Sequence, residues 1–163
     1  MGRAGIAGDE IGSALIAARL VHDLMRLCFL MEKQYPPYAK WFGTAFAHLP
    51  GVEALLPLLN RVLAAPSWSE RQEFIVPAYE RLAARHNALG ITETLDAKAS
   101  YFHEQTRPFL VIGGERFAKA LQEKISDPVV KRIADRWLIG SVDQFSDSTD
   151  LLNDARSFRS FYE

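Results

Sequence analysis

Tyr38, Lys40, Trp41, Gly43 and Thr44 crowd into one short span and combine the residue types that recognise ligands. An aromatic ring beside a lysine can stack on a base or sugar while the ammonium holds a phosphate. In a purely structural reading, Trp41 and Phe42 are the apolar side of a short helix, and Gly43 permits close packing on a neighbour. A second group, Arg19, His22, Asp23 and Arg26, recurs at intervals of three and four residues, which puts its members on one helical face. Arginines there suit bidentate contacts to an anion. The plain alternative is a solvated face whose ion pairs contribute about 0.3–0.5 kcal/mol each.

Arg85, His86 and Asn87 form a third cluster, at the end of a helical stretch where basic side chains also complement the helix dipole. Arg81 and His86 fit the loose arginine-to-histidine spacing of the helical ribonucleases called HEPN domains, although Leu82 stands where those enzymes carry a polar residue. Asp143, Asp147, Asp150 and Asp154 would line one face of a continuous helix and would then need a cation or arginines opposite. If the helix breaks near Ser146, Asp147, Ser148 and Asp150 become N-terminal capping groups instead. No histidine lies at zinc-ligand spacing from another or from Cys28, so no metal site and no cofactor is expected. Walker, dinucleotide-binding, nucleophile-elbow and HExxH motifs are all missing from the sequence.

The elements that must position these groups read almost entirely as helix. Apolar positions Ile11, Leu15, Ile16, Leu20, Val21, Leu24, Leu27, Cys28 and Met31 define a long first helix over 9–35, capped by Asp9 or Ser13. Pro36-Pro37 ends it, because neither residue donates an intrahelical hydrogen bond. A short helix over 38–48 follows, then one over 52–65 bent or restarted at Pro57. Ser67-Trp68-Ser69-Glu70 is a capping box opening a helix to Leu89, with Pro77 inside it and Gly90 as its left-handed stop. Residues 91–112 lack a helical period, and their apolar end allows a short strand near 109–112. Helices are expected from Gly113-Gly114 to Ser126, from Asp127-Pro128 to about Leu138, and from Ser148 to the C-terminus. The expected fold is therefore all-α, a bundle of about six to seven helices forming one domain over 1–163.

Composition agrees with a globular chain: 48% of the 163 residues are apolar and 24% charged. A net charge of −1 gives no global field toward nucleic acid or anionic lipid. No apolar run approaches the roughly 20 residues of a membrane span, and the first residues lack the apolar core of a signal peptide. A single cysteine, Cys28, in an apolar run fits a reducing cytoplasm.

Several blocks resemble the bacterial family known as domain of unknown function 4037. They are GDEIGS at 8–13, ARLVHDLMRLCFLMEKQYPPYAKWFGTAF at 18–46, ARHNALG at 84–90, RPFLV at 107–111 and VDQFSDSTDLL at 142–152. The resemblance implies the helical region that follows a nucleotidyltransferase domain and covers or supplies its acceptor site. The Gly-Ser element with paired aspartates that such catalysis needs is missing, so the chain is read as an excised piece or a natural truncation, not catalytic on its own. Family-like positions are Asp9, Arg19, Arg26, Tyr38, Lys40, Trp41, Thr44, Arg85, His86, Asn87, Asp143, Gln144, Asp147 and Asp150.

The expected function is an accessory, ligand-binding domain. Arg19, Arg26 and Lys40 would contact an anionic or hydroxylated ligand, Tyr38 or Trp41 would stack on it, and Thr44, Arg85, His86 and Asn87 would complete the set. Its expected partner is a nucleotidyltransferase domain in cis or in trans. A HEPN-like ribonuclease is one alternative; a regulatory module that pairs through the first helix, giving a homodimer, is another.

Overall fold

A computed structural model describes residues 1–134. Asp143, Gln144, Asp147, Asp150 and Asp154 and the expected last helix lie outside the described residues. Among the described residues, seven helices and one hairpin occur in the order α1 (Gly2–Ile6), α2 (Glu10–Met31), α3 (Ala39–Ala47), α4 (Leu56–Ala64), α5 (Trp68–Ala88), β1 (Ser100–His103), β2 (Arg107–Val111), α6 (Gly114–Glu123) and α7 (Pro128–Ala134). The helical class and the strand near 109–112 are borne out. The chain divides into two compact units, Met1–Gly90 with Thr94–Gly113, and Ile91–Glu93 with Gly114–Glu163.

In the first unit, α2 is the long helix expected at the start, but a five-residue helix precedes it. Asp9 caps α2 by accepting the Gly12 N–H at 2.7 Å, which satisfies one of the first-turn amides that have no partner inside the helix. The helix stops at Met31, short of the prolines. Glu32 is its C-cap, and Lys33 takes a positive φ of 54°. A left-handed residue ends the helical ladder before Pro36 can.

The buried face of α2 departs from the expected one. Ser13, Ala17, Val21, Cys28 and Phe29 are buried, whereas Ile11 and Leu15, read as core, are 79% and 69% exposed. α2 packs against α1, α4 and α5, and its buried face begins with the small residues Ser13 and Ala17. Ser13 and Ala17 let those neighbours approach more closely than a row of isoleucine and leucine would, so the larger side chains turn outward.

The core gathers Phe29, Phe46, Val52, Val62, Ile75 and Cys28, all at most 2% exposed. α3 contributes Phe42 and Phe46, with Phe42 stacked on Phe29 at 5.5 Å between ring centroids. α4 begins only at Leu56, so Pro57 occupies its first turn, where its missing N–H removes no bond.

Helix α5 opens on the anticipated capping residues with a different division of labour. Ser67 Oγ accepts the Glu70 N–H at 3.3 Å, while the Glu70 carboxylate takes the Ser67 hydroxyl at 3.0 Å. Gly90, at φ 64°, closes the helix as expected. A buried cation ties its first turns to α2. Arg71 donates from Nη1 to Glu10 Oε2 at 2.7 Å and to Ser13 Oγ at 3.3 Å, and from Nη2 to the Pro66 carbonyl at 3.4 Å. Glu10 also accepts the Trp68 N–H at 3.1 Å. That backbone bond first, and the Arg71 guanidinium second, hold the Glu10 carboxyl below its ordinary pKa.

β1 and β2 pair antiparallel, Tyr101 opposite Leu110, with a bulge before His103 opposite Arg107. Phe109 is the buried residue of β2 and lies under Gly2 of α1. In the second unit Asp127 Oδ1 accepts the Val129 and Val130 N–H groups at 2.8 and 3.0 Å, the cap expected for α7. No described helix is long and apolar enough to cross a membrane.

Candidate functional site

The nine residues singled out for binding separate into two places. On α2, at 100° per residue, Ile11, Leu15, Arg19, Arg26 and Leu30 fall within about 100° of arc. Ile11 and Leu15 stand open as described, and Leu30 is 70% exposed. Arg19 is exposed and Arg26 half-buried between these apolar positions. The result is a mixed stripe of apolar and cationic side chains, with Asp23 at its margin 3.6 Å from His22 Nδ1.

Helix α3 borders this stripe. The Phe42 ring lies 5.0 Å from that of His22, which fixes α3 beside α2 and turns its opposite side to solvent. Lys40, Trp41 and Thr44 fall on that exposed side, and Tyr38, the N-cap just before α3, is exposed as well. Lys40 Nζ sits 5.1 Å from the Trp41 ring centroid, within cation–π range. The Thr44 carbonyl accepts the His48 imidazole at 2.7 Å in the last turn of α3. A Cβ at Gly43 would meet nothing within 4 Å, so Gly43 is not the close-packing residue that the structural reading of this segment supposes.

Arg85, His86 and Asn87 lie on α5 and make contacts of their own. Arg85 is clamped by Glu32 Oε1 at 2.6 Å, the Pro50 carbonyl at 2.8 Å and the Gly51 carbonyl at 3.3 Å. Asn87 holds the backbone of Leu95 from both sides, donating to its carbonyl at 2.7 Å and accepting its N–H at 3.1 Å. His86 is buried. Arg81 is exposed, and five helical residues turn it about 140° away from His86. The ribonuclease pairing therefore finds no shared face.

Those contacts of Arg85 form one wall of a cleft of about 500 Å³. It is lined by Glu32 at the end of α2, the Pro50-Gly51 turn, Ala54 and Leu55, and Arg81, Ala84 and Arg85 of α5. The sequence reading missed this grouping. Its only local signal is the Arg81-to-Arg85 spacing of one helical turn; Glu32 reaches it through a fold that brings residues 32, 50 and 85 together. Among the described residues, no group of three or more histidines, cysteines, aspartates or glutamates is placed to hold a metal ion.

Residues 1–42 match the model of a family described as Domain of unknown function (DUF4037). The match bears out the resemblance over those residues, which carry α1, α2 and the first turn of α3. No curated protein and no solved structure matches the chain.

Proposed function

We propose that this chain is a non-catalytic helical accessory domain that works with a nucleotidyltransferase domain supplied in cis or in trans, and that the outward side of α2 and α3 is its recognition surface. The observation that carries the reading is the exposure of Ile11, Leu15 and Leu30 among Arg19, Arg26 and Lys40. Single exposed apolar residues are ordinary, but several on one face with aromatic and basic neighbours mark interaction surfaces. The family match falls on the residues that build this surface. The nucleotidyltransferase partner comes from the resemblance alone.

The chemistry asked of the surface is recognition. Leu15 and Leu30 supply apolar contact, Trp41 a flat ring, and the arginines and Lys40 orient an acidic counterpart. The test is light scattering on the chain mixed with a nucleotidyltransferase domain taken from a protein that the same family model matches. A one-to-one complex that disappears with Leu15→Glu plus Leu30→Glu is the expected result. No complex, or one indifferent to that pair of changes, overturns the proposal. A homodimer lost with the same changes would move the reading to an oligomerisation module.

A further inference from the structure

The cleft at the C-terminal end of α2 shares no residue with the α2–α3 surface, and its chemistry points to a different occupant. Its volume of about 500 Å³ lies within the roughly 300–1,000 Å³ of small-molecule sites. Pro50, Ala54, Leu55 and Ala84 give it an apolar wall. The polar groups are Arg81, Arg85 and Glu32, which together leave one positive charge.

The two arginines differ in readiness. Arg85 spends three of its five N–H donors on Glu32, Pro50 and Gly51, so two remain. Those bonds also hold its guanidinium in one orientation. Arg81, one turn earlier on the same helix, is exposed and makes no hydrogen bond or ion pair with any described residue. The pair thus offers one fixed and one adaptable guanidinium beside an apolar wall.

We propose that this cleft binds a small organic carboxylate, its apolar body on Leu55, Ala54 and Ala84 and its charged end on Arg81 with a second contact to Arg85. A carboxylate matches the planar guanidinium fork and neutralises the single net charge. A phosphate monoester, near −2 at neutral pH, exceeds that charge and is repelled by Glu32 beside Arg85.

The test is a ¹H–¹⁵N NMR titration of the full chain with benzoate and hexanoate, against benzyl alcohol, hexanol and phenyl phosphate. Saturable shifts at the amides of Ala54, Leu55 and Ala84 are expected with a carboxylate and absent with the alcohols. Arg81→Gln, a change at an exposed side chain whose spectrum should stay folded, is expected to weaken binding at least fivefold. No saturation with either carboxylate, a smaller effect of Arg81→Gln, saturation by the alcohols, or tighter binding of phenyl phosphate would each overturn the proposal. Leu15→Glu plus Leu30→Glu should leave this titration unchanged, so failure here and failure of the accessory-domain reading are separable.

Discussion

At the scale of single residues, glycine positions with opposite surroundings give opposite predictions. A Cβ at Gly5 would overlap the Trp68 side chain, and one at Gly2 would lie 2.6 Å from Phe109 Cβ. These glycines let α1 lie directly on two aromatic side chains. Gly5→Ala should displace Trp68 or lift α1, lowering stability by about 1–3 kcal/mol as overpacking does. At Gly43, in the middle of α3 with open space around it, alanine should instead raise stability by about 0.5–1 kcal/mol. Urea denaturation of the two variants beside the parent reads both signs in one experiment. The thiol of Cys28 offers a third residue-level check. Burial pushes its pKa up to about 11, so native protein at pH 8 should resist iodoacetamide and react readily once urea has unfolded it.

Between elements, the joint of α2 and α5 is where charge and hydrogen bonding carry most of the argument. Arg71→Met keeps much of the volume but leaves the buried Ser13 hydroxyl without its Arg71 partner, a loss of about 1–3 kcal/mol measurable by thermal unfolding. Glu10, on the other side of the joint, makes stability depend on pH. Its folded pKa is depressed, so its contribution is fully present above the unfolded value of about 4.3 and is lost as the pH falls through the folded value. Glu80 behaves likewise, held down by the Lys98 ammonium and the Ala99 N–H. The parent should therefore lose stability below about pH 5 more steeply than Glu10→Gln, as read by unfolding midpoints at successive pH values. Equal slopes would mean that Glu10 contributes nothing through its charge.

For the whole molecule, sequence pattern reached the helices but misjudged a face. Caps and breakers are local chemistry, so Asp9, Ser67, Gly90 and Asp127 were legible where they stand. Hydrophobic period is a weaker guide on a helix as apolar as α2, where several faces qualify and the choice falls to whichever packs most closely on α4 and α5. That is why Ile11 and Leu15 were read as core and stand in solvent. Strand β1 was missed because its four residues are all exposed and show no alternation of burial. The candidate site was legible in part. Lys40, Trp41 and Thr44 do share an exposed side of α3, with Tyr38 exposed at its N-cap, while the Glu32–Arg85 pair joins residues 53 apart in sequence, a proximity that only tertiary structure supplies. At this scale the exposed face carries a practical prediction: Leu15→Lys plus Leu30→Lys should leave the midpoint of thermal unfolding nearly unchanged, because both side chains already stand in solvent.

Lys33 holds a backbone angle that suits glycine far better than a lysine. The chain thus turns out of α2 at a residue under conformational tension, two positions ahead of an exposed tyrosine and three ahead of a rigid pair of prolines. Tension and rigidity together make this corner act like a set bracket: the direction in which α3 departs, and with it the bearing of Lys40 and Trp41, is decided before α3 begins. Replacing Lys33 with glycine would relax the bracket while leaving every side chain of α3 intact, separating the surface's composition from its aim.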